Sequence, residues 1–348
     1  MSGSVFIRTS FCGTRARADE LRREVAAGRN PATHKREAPA RTFAGLAERY
    51  LAEHARRFKR SADQDERNLR LHVLPRWGRR DFTSIGRADV IALAEKLAAA
   101  GKPVLANRVQ ALVSSIFSFA VDADLLQNNP CLRLRKRGQE NAKTRTLSDE
   151  EIRTLWNHAA APPVSRPVGL ALRLVLLTAC RPSEVAGMKV NELEISTAGK
   201  VMSWTIPANR TKNGRAHYVP VAPLAGEQIT KALSLADGSD VVFPSRAGGI
   251  AGHALAVAMD RIGKATKAKD WPTARDMRRT AATRMAAAGV RSEDVSAILN
   301  HVRADVTGKH YDLYDRAKEK RAALTRWAQI LAAILAPTPA DNVIALRG

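Results

Sequence analysis

Cysteine is scarce in this chain: Cys12, Cys131 and Cys180 are scattered, without CxxC spacing, among 348 residues. That argues against a zinc ribbon and against a disulfide framework. Aromatic residues make up only 5%, too few for a protein that grips single strands mainly on stacking platforms. The longest apolar stretch, VGLALRLVLLTAC at 168–180, is too short to span a bilayer and carries Arg173. No apolar signal core follows the N-terminus, so the expectation is a cytoplasmic protein with no membrane partner. Catalytic motifs are missing too. There is no GxxxxGK(S/T) loop, since Gly263-Lys264 is followed by Ala265 and lacks the preceding glycine. HExxH and GxSxG are also absent, and no carboxylates or histidines cluster at ligand spacing. Chemistry on a nucleic acid would therefore run without ATP, with no metal and no other cofactor expected.

Acidic residues are the other deficit. Lys and Arg total 57 against 34 Asp and Glu, a net charge of +23. Residues 1–150 hold 29 basic and 17 acidic side chains, and the remainder hold 28 and 17. A basic tail on a neutral enzyme would not divide like this, so both halves are expected to face one polyanion, nucleic acid. At 45% hydrophobic the chain is not disordered, and its length suits two domains.

Residues 1–41 read as a short helical run ended by Gly28 and Pro31, too small for a domain. Helical periodicity then sets in. Phe43, Leu46, Tyr50 and Leu51 share one face, Val90 to Leu97 form a second run, and Val104 to Phe117 a third. With the LRLHVLP segment this predicts a four-helix domain over 42–127. Residues 128–147 carry Arg133, Arg135, Lys136, Arg137, Lys143 and Arg145 against one acid, and read as a basic linker able to lie along a phosphate backbone. A capping box at Ser148 and Glu151 opens the second domain, 148–335. Helices are expected there near 148–160, 167–179, 182–189, 251–265, 276–288, 292–300 and 316–334. A strand pair, VMSWTIPAN and AHYVPV, flanks a hairpin signal at Asn213-Gly214. Residues 336–348 read as a flexible tail. The fold class is mainly α with a small hairpin or sheet.

Five segments carry cations and one tyrosine. Arg181 precedes a helix opened by Pro182, with Glu184 one turn inside. Lys212 lies on the hairpin. Arg275 and Arg278 stand three residues apart around Asp276, read as an N-cap. His301 ends a helix, and Tyr311 follows ten residues later. The segments LLTACRPSEVAGM, TKNGRAHYVPV, RDMRRTAATRMAAAGV and LNHVRADVTGKHY, in this order and spacing, resemble the tyrosine recombinases of the phage-integrase family. The resemblance spans about 42–335.

The resemblance implies a helical core-DNA-binding domain and a catalytic domain closing as a clamp on duplex attachment sites. It implies a tetramer on DNA, with DNA-bending accessory proteins as further partners. Arg181 and Arg278 would clamp the scissile phosphate, His301 would hydrogen-bond it, and Glu184 would steady the site. Lys212 would protonate the leaving 5′ oxygen, and Tyr311, favoured over Tyr314, would form a 3′-phosphotyrosine. Guanidinium groups suit such a clamp because they are planar, bidentate and always charged.

One position departs from the pattern: where the family writes His-x-x-Arg, this chain has Arg275, which can bind phosphate but cannot serve as a base. The N-terminal piece resembles the closing helix and linker of an arm-site-binding domain without its sheet. These two departures motivate a rival reading, an inactive DNA-binding relic of a mobile element; a topoisomerase-like nicking and closing enzyme is the other. The stripe Leu324, Trp327, Ile330, Leu331 and Ile334 is either local core or a tail docking on a neighbouring protomer, and the resemblance favours the second.

Overall fold

A computed structural model of the chain describes residues 41–139, 144–246, 248–301 and 315–336. They fall into two units, split between Ala142 and Lys143. The segments 1–40 and 337–348, read above as an arm-site remnant and a tail, lie outside the described residues.

The first unit is built from four helical runs. α1 (Phe43–Tyr50) starts at Thr42, whose side chain accepts a hydrogen bond from the Gly45 amide at 3.2 Å, and continues through a π turn to Phe58. α2 (Ala62–Asn68) continues likewise to Trp77. α3 (Arg87–Ala99) and α4 (Pro103–Asp122) follow, with proline at the first position of α4, where no amide is needed. Phe43 organises the core, with its ring 5.5 Å from Trp77 and 5.8 Å from Phe117. α4 is long and apolar enough to cross a membrane on length and composition. Its Val109, Leu112, Val113, Ile116 and Phe117 are instead buried in the core of this unit.

The segment read as a linker packs onto this unit for much of its length. Cys131 is buried. The Asn129 amide donates to the Ser114 carbonyl and to Ser118 Oγ, each at 2.9 Å, and Asn107 accepts from the Arg137 amide at 2.8 Å. Asparagine side chains on and beside α4 thus take over the backbone groups of a stretch that has no ladder of its own. Arg133, Arg135 and Lys136 point outward, and Arg137 is half-buried.

The second unit surrounds a nearly all-buried helix. α5 (Asp149–His158) opens with the Ser148–Glu151 capping box, and α6 (Arg166–Thr178) is buried from Gly169 to Thr178 except at Arg173. After the short α7 (Pro182–Ala186) comes an antiparallel sheet of β1 (Leu193–Ile195), β2 (Val201–Ile206) and β3 (His217–Pro220). Trp204 of β2 lies opposite Leu193 on one side and Val219 on the other. Then follow α8 (Pro223–Ala236), a two-strand ribbon of Pro244–Ser245 and Gly248–Gly249, α9 (Gly252–Ala265), α10 (Ala274–Ala287), α11 (Ser292–Ile298) and α12 (Ala317–Leu335). The outcome is mainly α with a small sheet, in accord with the sequence.

One expectation needs correction, on the C-terminal stripe; the expected strand pair does form an antiparallel hairpin, with shorter strands and a longer connection. Residues 207–216 form that connection, which includes a 3-10 turn at Ala208–Arg210, and Gly214 takes a left-handed φ of 70°. The C-terminal stripe does not await a neighbouring protomer: Leu324, Trp327, Leu331 and Ile334 are buried in this unit's own core. Trp327 donates its indole N–H to the Leu176 carbonyl at 2.8 Å, which fixes α12 against α6.

The approach of α6 to the end of α5 requires a glycine. A Cβ on Gly169 would stand 1.7 Å from the Ala159 carbonyl oxygen. Gly169→Ala should therefore cost about 1–3 kcal/mol, despite the better helix propensity of alanine. An unchanged or higher urea midpoint would contradict this close packing.

Candidate active site

α6 ends at Thr178, and Ala179 adopts a left-handed conformation at φ 53°. The chain reverses there and delivers Cys180 and Arg181 to the start of α7. Glu184, in the first turn of α7, is 97% buried and works in two places. One carboxylate oxygen accepts from the Arg181 amide at 2.9 Å, and the other from Arg181 Nη1 at 2.7 Å. It caps the helix and holds the guanidinium with one side chain.

Arg278 comes from α10. The residue that caps this helix is Thr273, not Asp276. Asp276 occupies the reciprocal position inside, accepting from the Thr273 amide and hydroxyl, both at 2.8 Å. Burial acts to raise the Asp276 pKa, but the Thr273 bonds and the Arg279 guanidinium hold it below the usual carboxylate value. The cap fixes the turn that presents Arg275 and Arg278 on one side. Arg278 is buried and meets no carboxylate at bonding distance among the described residues. It donates to the Ala179 carbonyl at 2.7 Å and to the Leu299 carbonyl. Burial, with the charge of Arg181 added, pushes its pKa down to about 10. The group stays charged at neutral pH. Arg275 is exposed and close enough for its charge to act on Arg278.

α11 closes in a Schellman turn. The His301 amide donates to the Ser296 carbonyl and the Asn300 amide to that of Ala297, both at 3.0 Å, with Asn300 left-handed at φ 47°. The Leu299 carbonyl is left for Arg278, and His301 emerges beside the arginines. Partial burial, then the charges of Arg278 and Arg181, lower its pKa. Lys212 is exposed on the β2–β3 loop. Arg181, Glu184, Arg278 and His301 therefore form one cluster, Arg275 stands at its rim, and Lys212 is carried on the adjoining loop. Tyr311 and its competitor Tyr314 lie outside the described residues.

Sequence reasoning missed His217, the first residue of β3. It is 96% buried, and its ring nitrogens make no well-formed hydrogen bond, although the Ala297 backbone is near enough to act on the ring. A histidine opening an otherwise apolar strand, HYVPV, was the available signal. Burial, then Lys320, Arg278 and Arg181, push its pKa down to about 3. The ligand atoms of His217, Cys180 and Glu184 all lie within 4.8 Å of one another. As a metal set they fit poorly. Both oxygens of Glu184 are committed to Arg181, burial pushes the Cys180 thiol up to about 12, and the surrounding groups are cations.

A histidine kept neutral by its fold binds fewer protons than it does unfolded. Its contribution to stability is complete above its ordinary value of 6.5 and is lost as pH falls towards about 3. Wild-type stability should therefore drop below pH 6.5 more steeply than that of His217→Gln, by up to ~1.4 kcal/mol per pH unit. Parallel stability profiles for the two proteins between pH 7 and 4 would contradict a neutral, buried His217.

The phage integrase family matches residues 145–317, and the phage integrase central domain matches residues 43–137. The chain is 29% identical over 342 residues to the prophage integrase IntZ of Escherichia coli K12, covering 92% of this chain and 81% of that protein. It is 23% identical over 354 residues to the integrase of Enterobacteria phage P4, covering 94% and 79%. Lambda integrase, solved as a tetramer bound to a Holliday junction, shares the fold with a TM-score of 0.63 at 17% identity, over 85% of this chain and 89% of that one. With the catalytic and central domains both matched, the chain belongs to the phage integrase family of tyrosine-type site-specific recombinases.

Proposed function

We propose that this recombinase cuts and rejoins duplex DNA at the attachment sites of a prophage or genomic island, acting in the cytoplasm on the nucleoid. The observation that carries the reading is Arg278, a buried cation with no carboxylate at bonding distance among the described residues, beside Arg181 and His301. A scissile phosphate brought to this cluster supplies the missing negative charge.

The chemistry follows from the groups. A phenol has a pKa near ~10 and attacks poorly unless cations stabilise its phenolate. Tyr311 gives its proton to water and attacks as the phenolate: its oxygen bonds to phosphorus, and the bond from phosphorus to the 5′ oxygen breaks. Arg181 and Arg278 hold the non-bridging oxygens as charge builds on them. His301 hydrogen-bonds one of those oxygens, and Lys212 gives the departing 5′ oxygen its proton. Arg275 binds phosphate in a position where the family uses histidine. The phosphotyrosine conserves the bond energy, so a 5′ hydroxyl from a second duplex can reverse the step without ATP.

Exposed Arg133, Arg135 and Lys136, with Arg137, supply phosphate contacts outside the reacting centre. Both units contact the duplex, and four copies assemble on paired sites with help from DNA-bending proteins.

Nicked duplexes from DNA flanking the gene, which let the cut strand diffuse away, test the reading. Wild type should leave a covalent adduct on denaturing gels, Tyr311→Phe none, and Arg278→Ala at least ~100-fold less. Specific binding without any adduct would contradict the enzyme reading and leave the inactive relic, whose one motive in the site is Arg275. Arg275→His would then restore an adduct if that substitution were the cause.

A further inference from the structure

Lys212 is exposed, with a flexible stem, yet a general acid must reach the oxygen it protonates. The loop that carries it is tied down on both sides of the lysine. On one side, Arg210 Nη2 donates to the Glu184 carbonyl at 2.7 Å, and Nη1 bonds to Glu192 Oε2. The same Glu192 oxygen accepts from the Trp204 indole at 3.0 Å, so Arg210 is anchored to β2 as well as to α7. A Cβ on Gly187 would stand 2.9 Å from Arg210 Nη2, so the backbone at 187 leaves room for the guanidinium.

On the other side, Asn213 Nδ2 donates to the Asn300 carbonyl at 3.1 Å and to its side-chain oxygen at 2.8 Å. Asn213 Oδ1 meanwhile accepts from the Arg215 amide at 3.2 Å. Asn300 is the left-handed residue directly before His301. Between the anchors, buried Thr211 donates its hydroxyl to the Ala208 and Arg215 carbonyls at 3.0 and 2.8 Å, closing the loop on itself.

We propose that Arg210 and Asn213 are positioning residues that hold the Lys212 loop in register with the arginine helix and the His301 turn, so that the ammonium meets the leaving 5′ oxygen. The inference rests on the reading of Lys212 as the proton donor. Arg210 ties the loop to the carbonyl of the residue that holds Arg181, and Asn213 ties it to the turn that presents His301. The proton donor and the phosphate-binding groups thereby share one frame.

The test uses the full chain on nicked duplexes carrying either an ordinary scissile phosphodiester or one in which sulfur replaces the bridging 5′ oxygen. A thiolate leaves without a proton, so the sulfur duplex bypasses the acid. Asn213→Ala and Arg210→Lys should slow cleavage of the ordinary duplex on the order of tenfold, and Lys212→Ala more. All three should recover the wild-type rate on the sulfur duplex, and Arg181→Ala should not. Arg210→Lys keeps the charge at 210, and recovery on the sulfur duplex shows that each slow variant is still folded. Two results overturn the bracket: wild-type rates for Asn213→Ala and Arg210→Lys on ordinary DNA, or slow rates that sulfur does not rescue while it rescues Lys212→Ala. Failure of sulfur to rescue Lys212→Ala would instead remove the lysine as the acid, and the bracket would fall with that reading.

Discussion

The placement of Arg278 between two helix ends is the constraint on which the site depends. A buried guanidinium needs partners, and a carboxylate would be the usual one. Here the carbonyls of Ala179, just past α6, and Leu299, just past α11, take that role. Carbonyls at helix C-termini carry partial negative charge, so they can hold a cation without neutralising it. Two backbone conformations make them available. Ala179 is left-handed at some cost in strain, and the Schellman turn of α11 leaves the Leu299 oxygen unclaimed. The result is a fixed positive charge that an external anion can still complete.

Burial first, and then that excess of charge, acts on the neighbouring histidines: the pKa of His301 is lowered and that of His217 falls to about 3, while Cys180 remains a thiol chiefly because it is buried. Glu184 is the acid that enters the cluster, and it is fully engaged in capping α7 and fixing Arg181. A site built to bind a cation would show the opposite balance. The charge of this one suits a phosphodiester, whose extra charge in the transition state falls on oxygens that guanidinium groups and a histidine can hold.

Local patterns in the sequence carried much of this. The long helices follow apolar periodicity, as the Phe43–Leu46–Tyr50 face and the buried side of α4 illustrate. The order of cationic segments pointed to Arg181, Glu184, Arg278 and His301 as one site. What escaped was information held in tertiary contacts. β1 is three residues long and is defined by its pairing with β2, and α8 passed unnoticed. The stripe on α12 has the same spacing whether it docks at home or on a neighbour, and the Trp327 bond to α6 decides between them. Asp276 looked like a cap because a capping box places an acid three residues beyond the true cap at Thr273. Arg210 and Asn213 could not be singled out because their partners, Glu184 and Asn300, are distant in sequence and lie mostly on backbone atoms. Buried His217 stood inside the TKNGRAHYVPV segment, but no role was assigned to it there.

On the proposed reading, Arg181, Arg278 and His301 together form a socket for an oxyanion. Titration of His301 by nuclear magnetic resonance tests this most directly, in free protein and with saturating sulfate at matched ionic strength in chloride. The account predicts a pKa below the ordinary histidine value of 6.5 in the free protein, raised once sulfate offsets the arginines. A free-protein pKa at or above 6.5, or one that sulfate leaves in place, would contradict it.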